Sequence, residues 1–312
     1  MTLPWAKKRA ERIEATAANA AVAAKTRTLW GDALRRLLKN KLAVIGFCWI
    51  VIMVLIALSA DLWVPQNFGD PTYIDTGNVA AVSWQPPSAD HPFGTDRVGR
   101  DILSRTIYGA RVSLLVGVLA VAVSLVIGLI MGALAGYFGG LVDAIIMRIT
   151  DIFMAFPYTL FAIALLAGLG PSLTNVILAI GVLGWTSIAR VLRSTILSVK
   201  ENDYISAARA IGASNTRIIL RHVLPNSIAS VVVYATMAIG SAILSEAALS
   251  FLGLGVQPPT PSWGMMISDG QAVIATAPWM TVFPGAACLL TVLSFTLMGD
   301  GLRDALDVKV TD

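Results

Sequence analysis

The 312-residue sequence predicts an all-α integral membrane protein with six transmembrane helices, an interfacial helix ahead of the first and a long outer loop before the second. Three observations carry this. Hydrophobic residues make up 56% of the chain and charged ones 13%, against about 25% charged in a soluble domain. Six apolar runs are long enough to cross about 30 Å of hydrocarbon as helices. Charge is also segregated: ten Lys/Arg face three acids in residues 1–41, two face six in 61–104, and six face two in 190–225. The positive-inside rule then puts 1–41 and 190–225 in the cytoplasm with both termini, and 61–104 outside.

In chain order, residues 1–25 are charged and Ala-rich without a core pattern, and read as a loose tail. From Thr28 onward Leu29, Trp30, Ala33, Leu34, Leu37 and Leu38 share a helical face, while Arg35, Arg36, Lys39 and Lys41 fall mostly on the other. That pattern predicts a helix lying on membrane lipid at the inner leaflet, completing a 1–41 unit, with a helix docked only on protein as the alternative. The first span is 42–60, and 61–104 follows outside, rich in Pro, Gly, Asp and Trp. The remaining spans and their loops occupy 105–300, with a tail over 301–312.

The second span runs from Val112 to Gly136, with Ala120, Ser124, Gly128, Gly132 and Gly136 at every fourth position. Such spacing lets another backbone approach closely, either within the bundle or at a subunit interface. The third is Leu141 to Gly168, where Pro157 either kinks the helix or marks its entry into fully apolar surroundings, with Arg148 and Asp151 three residues apart and able to neutralise each other. The fourth starts at Pro171 and ends near Ala189; the fifth covers Asn226 to Leu254. Glu246 interrupts the fifth span, so it should lie near the outer interface or face a wet cavity. Glu246 and Asp151 are the two candidate pathway groups. A proline-rich lip, Phe251 to Gly264, precedes the sixth span, Pro278 to Met298.

The stretch 201–225 is the sizeable polar island within this hydrophobic region. Asp203 can cap a helix from Tyr204 to Ile211, Gly212 supplies a left-handed residue beyond its end, and Ser214 can cap a second helix to Leu224. Pro225 then breaks that helix or starts the next. The product is an elbow with a small-residue face (Ser206, Ala207, Ala208, Ala210) and a basic fringe (Arg209, Arg217, Arg221). Apolar spans on both sides would keep it out of a major groove, so nucleic acid is excluded as a partner.

At the elbow the chain resembles the permease subunits of binding-protein-dependent ABC importers. Their loop pattern of E-A-A, three residues, Gly, nine residues and I-x-L-P is met by Ala207, Ala208, Gly212, Leu224 and Pro225, with Ser206 in the glutamate position and His222 in the isoleucine position. The stretch from His91 to Leu114, the run Arg148 to Pro157, the lip and the closing Gly299 to Asp307 also resemble the C-type permeases of dipeptide and oligopeptide importers. The resemblance implies a type I ABC importer permease fold forming half of a pathway in the bacterial inner membrane. It further implies a homologous second permease, two cytoplasmic ABC ATPase subunits and a periplasmic or lipid-anchored binding protein. ATPase coupling would fall to Ser206, Ala207, Ala208, Arg209, Gly212, Arg217, Arg221 and Pro225. Relatives carry peptides, glutathione, nickel chelates or opines.

Chemistry of its own is not expected of the chain. It lacks a Gly-x4-Gly-Lys-Ser/Thr phosphate loop, so ATP and Mg are expected on the partner subunits and no cofactor on this one. Its two histidines suit neither a hydrolytic constellation nor a metal site. Cys48 and Cys288 lie in apolar runs and read as packing thiols. A cleavable signal peptide is not expected, because the first apolar run follows forty mostly polar residues. A secondary transporter would need coupling residues and inverted repeats, and a membrane-anchored interaction module would not need six spans with a stiff lip.

Overall fold

The computed structural model describes residues 29–72 and 79–306; the tail expected over 1–25 lies outside them. All regular elements among these residues are helical. A short α1 (Leu29–Leu37) leads into α2 (Lys41–Phe68), followed by one small helix, α3 (Val79–Val82). The bundle continues with α4 (Ile102–Phe138), α5 (Gly140–Ala155), α6 (Tyr158–Leu169) and α7 (Leu173–Val199). Two short helices, α8 (Asp203–Ala210) and α9 (Asn215–Ile218), precede α10 (Leu224–Phe251), α11 (Trp263–Gln271) and α12 (Trp279–Leu306). Five helical stretches are each long and apolar enough to cross a bilayer, and the bent pair α5–α6, counted as one span, brings the number to six.

Several expected boundaries shift. The first helix does not stop at residue 60: it continues through Asp61 to Phe68, where Asp61 is held by the Tyr108 hydroxyl at 2.7 Å and by Arg111 at 2.9 Å. A charge paired across helices no longer needs to end one. The fourth helix runs past Ala189 to Val199, and the last passes Met298 to Leu306. Residues 307–312 lie outside the described part.

Pro157 breaks the third span rather than kinking it. The residue ahead of a proline disfavours helical backbone, and Phe156 is extended (φ −91°, ψ 137°), so α5 ends at Ala155 and α6 restarts at an angle of 86°. The Arg148–Asp151 pair is also absent. Asp151 accepts instead from Arg190 of α7 at 2.6 Å, with both side chains about half exposed. One helical turn away Arg193 forks onto both oxygens of Asp143, so α5 is fastened to α7 at two places.

The small-residue stripe serves the chain's own bundle. A Cβ on Gly128 would lie 2.7 Å from the Ile188 Cβ, one on Gly132 2.7 Å from the Ala189 carbonyl, and one on Gly136 2.9 Å from the Ile196 Cβ. Ser124 donates to the Gly181 carbonyl at 2.8 Å, completing a close α4–α7 crossing. Without side chains between them the two backbones gain dispersion contact that lipid cannot supply.

Far from the elbow the bundle is closed by a polar lid. Asp101 caps α4 through the Ser104 amide at 2.7 Å and meets His91 at 2.9 Å. Arg105, buried, donates to the Pro71 carbonyl at 3.0 Å beside Asp96, which also holds Arg100 at 2.6 Å. Trp263, at the end of the proline-rich lip, is fully buried and donates to the Thr106 carbonyl at 2.9 Å. The lip is thereby pinned to α4, and its Ser262 caps α11, a helix the hydropathy pattern did not suggest.

At the other end α1 packs beneath the last helix. A Cβ on Gly301 would run into the Ala43 methyl and lie 3.1 Å from Leu37, and Ala33 is buried. Leu34 and Leu38 point away, exposed beside the exposed Arg35, Arg36 and Lys39.

Candidate functional site: the elbow and the cleft

The elbow is built around α8. The helix begins one residue earlier than expected, with Asn202 in the cap position and Asp203 inside the first turn. At its far end Gly212 takes φ +80°, its amide bonding the Arg209 carbonyl at 2.9 Å while the Ala213 amide bonds the Ala208 carbonyl at 3.1 Å. These two bonds satisfy carbonyls that a helix end leaves without partners, and the left-handed residue between them favours glycine.

One face of α8 is sunk into the bundle. Ile205 and Ala208 are buried in one cluster with Tyr137 of α4, Leu192 and Ile196 of α7, and Val223 and Val231 farther along the chain. Ala208 therefore does not belong to an outward small-residue face: its methyl packs on the chain's own core. Tyr137 adds polar ties, donating to Asn215 at 2.8 Å and lying 5.4 Å beneath the Arg209 guanidinium. The other face is exposed: Ser206, Ala207, Arg209, Ala210 and Gly212, continued by Arg217 and Arg221. An added Cβ on Gly212 would meet nothing within 4 Å.

Beyond Ser214, which accepts from the Arg217 amide at 3.4 Å, the chain does not break at Pro225. Residues Ile219–Val223 form a π-helical turn, and α9, this turn and α10 make one continuous rod. The wide turn moves the Leu224 amide onto the Ile219 carbonyl, and Asn226 donates to the His222 carbonyl at 2.6 Å. A proline lacking its N–H is thus carried without a break, at the first turn of α10 where that loss costs least. The elbow is consequently continuous with the fifth span.

Sequence reasoning missed the most exposed apolar group of this face. Ile211 is 85% exposed, with Leu220 at 62% and Tyr204 at 43%. Apolar residues inside a polar island were the available signal.

Between α4, α6, α7 and α10, at the α5–α6 break, lies an open cleft of about 690 Å³. Aromatic rings from Phe153, Phe156 and Phe161 form one wall; hydroxyls from Ser124, Thr186, Ser187, Tyr234, Ser241 and Ser245 stud the others, and none of its lining residues is charged. Neither candidate pathway group reaches it. Asp151 lies close by but is turned to Arg190. Glu246 faces no wet cavity: it is fully buried near the lid end of α10, accepting from Ser250 at 2.6 Å and from Ser113 of α4 at 3.0 Å. Two hydroxyls meet the solvation need that a cavity was expected to meet.

Comparison with known proteins decides what this architecture is. The family model described as "Binding-protein-dependent transport system inner membrane component" matches residues 106–312, about two thirds of the chain. The chain belongs to that family. A second model, "N-terminal TM domain of oligopeptide transport permease C", matches residues 28–87. Family membership makes the molecule a permease subunit of an ABC importer, an integral membrane component. The dipeptide transport system permease protein DppC of Alkalihalophilus pseudofirmus is 47% identical over 281 residues, covering 90% of each chain. The glutathione transport system permease protein GsiD of Escherichia coli O157:H7 is 44% identical over 287 residues, covering 91% of this chain and 92% of its own. The fold is shared with the MetNI methionine ABC transporter in inward-facing form, at a TM-score of 0.54, 20% identity and coverage of 65% of this chain and 96% of that one. An amino acid ABC transporter chain gives 0.51, 16%, 65% and 94% in the same measures.

Proposed function

We propose that the chain forms half of the translocation pathway of a dipeptide and oligopeptide importer, driven through its elbow by a cytoplasmic ATPase. The observation that carries this is the two-sided build of α8. Ile205 and Ala208 lock it to the bundle, while Ser206, Ala207, Arg209, Gly212, Arg217 and Arg221 stay exposed for a partner. Pro225 stands where the elbow becomes the fifth span. Because α8 follows the fourth span within a few residues and the rod α9–α10 is continuous, displacement of the elbow tilts both spans as rigid bodies. Rigid-body movement of packed helices is a usual means of switching access.

In this reading a homologous second permease closes the open side of the cleft, and two ABC ATPase subunits bind ATP and Mg, none of which this chain holds. A periplasmic or lipid-anchored binding protein delivers the solute at the lidded end. The assembly sits in the bacterial inner membrane with both termini in the cytoplasm, as the basic bias of 1–41 and 190–225 supports. The exposed Leu34 and Leu38 rest on inner-leaflet lipid.

The 47% identity to a dipeptide permease favours peptides, and the 44% identity to a glutathione permease makes glutathione the second reading. Co-purification from the native membrane followed by reconstitution tests both. An ATPase subunit should accompany the chain, and vesicles should take up labelled dipeptide with ATP and binding protein present, excess glutathione failing to compete. Competition by glutathione selects the second reading; uptake without any ATPase overturns both.

A further inference from the structure

The cleft does not end at its far wall. A smaller cavity of about 240 Å³ lies beside it, and the two share Tyr158 and Ser245 among their lining residues. Their order along the fifth span is clear. The larger contacts α10 from Tyr234 to Ser245, and the smaller from Leu244 to Leu249, one step farther from the elbow and towards the lid. Tyr158 opens α6 directly after the break at Pro157, where the third span turns by 86°. Its ring and the Ser245 side chain line both cavities, the Ser245 hydroxyl donating to the Ser241 carbonyl at 2.9 Å. The ring stands 37% exposed, which leaves it surface with which to touch a passing solute.

We infer that Tyr158 and Ser245 form the constriction at which the solute is sized and handed between the two cavities, with Tyr158 the specificity-determining residue of this chain. This rests on the importer reading. The chemistry follows from the lining. With no charged side chain around the larger cavity, a solute's ionised ends find no counter-ion on this half of the pathway. Recognition there is limited to bulk and to neutral hydrogen bonding. The Tyr158 phenol can donate to a solute carbonyl and accept from an amide N–H, so solutes bearing neutral amides pass at little cost. Bulk is judged by the aromatic ring.

The experiment uses the complete importer, reconstituted with its second permease, ATPase pair and binding protein, in wild-type, Tyr158→Ala and Tyr158→Phe forms. Initial uptake of labelled Trp-Trp and Ala-Ala is measured with ATP hydrolysis in the same vesicles. Tyr158→Ala should raise the Trp-Trp to Ala-Ala uptake ratio at least about threefold, a modest share of the 10- to 200-fold that one methylene decides in a tight pocket. Tyr158→Phe should leave that ratio unchanged while lowering uptake of both. In parallel, Tyr158→Cys in a Cys48→Ser background should react with a charged, water-soluble thiol reagent and be protected by transported dipeptide. An unchanged ratio in Tyr158→Ala with ATP hydrolysis intact overturns the inference, as does a Tyr158→Cys thiol that is unreactive in assembled transporter. Either result leaves the importer reading standing, whereas wild-type vesicles lacking ATP-dependent uptake would refute that reading itself.

Discussion

Ile205→Ala separates seating of the elbow from its contact with a partner. The Ile205 side chain is fully buried, packed in a cluster that includes Ile196, Ile218 and Val223. Truncation removes three carbons, about 2.4 kcal/mol at roughly 0.8 kcal/mol each, and leaves a cavity that brings the cost into the usual range of about 2–5 kcal/mol. Even about 2 kcal/mol weakens seating of α8 on the bundle by roughly thirtyfold. Nothing on the exposed face changes, so an ATPase can still dock. Amide hydrogen exchange over residues 203–212 should therefore quicken by about that factor, and vesicles should hydrolyse ATP at close to the wild-type rate while moving fewer solutes per ATP. Ile211→Ala is the converse control: the side chain is 85% exposed, stability should stay within about 0.5 kcal/mol, and the ATPase should bind less well. If exchange quickens in Ile205→Ala while solute moved per ATP remains wild-type, seating of α8 transmits nothing and the mechanism is wrong.

Three further substitutions probe the scaffold. Gly132→Ala drives a methyl to 2.7 Å from the Ala189 carbonyl and should cost about 1–3 kcal/mol, seen as a lower melting temperature in detergent; Gly168→Ala, with nothing within 4 Å, is the matched control and should melt no lower than wild type. Glu246→Leu strips the Ser113 and Ser250 hydroxyls of their acceptor and should destabilise by about 1–3 kcal/mol, whereas Glu246→Gln keeps an acceptor in place; equal melting of Leu and wild-type forms would refute the sealed-carboxyl reading. Asp151→Asn loses only a half-exposed pair with Arg190, so stability should change by less than about 1 kcal/mol and uptake should persist. Loss of uptake in that variant would return Asp151 to the pathway.

Hydropathy made the spans legible because a bilayer demands continuous apolar length, and charge bias indicated which loops share a side. The capping signals of Ser214 and Gly212 were readable for a related reason, since caps and left-handed turns are satisfied locally. Partner choice was not local. Asp151 has Arg148 within reach on its own helix, yet pairs with Arg190 from another. Glu246 carries no sign in its neighbours that Ser113, 133 residues away, will accompany it. Pro225 left a break or a helix start open; it stands in the first turn of α10, and the π-helical turn ahead of it, which propensities do not register, keeps the rod continuous. The alternation of small residues on α4 showed that a close crossing exists without naming α7 as the other half. The cleft was invisible for the same reason: its hydroxyls come from separate helices and are diluted among apolar residues in each.

The elbow's outward face can be interrogated directly by a cysteine at its most exposed apolar position. Ile211→Cys, in a Cys48→Ser background that leaves the buried Cys288 in place, should cross-link to the ATPase subunit in assembled transporter, and should resist membrane-impermeant thiol reagents added outside intact cells. A cysteine that is labelled from outside, and that forms no cross-link to the ATPase, would contradict the placement on which coupling, orientation and pathway all rest.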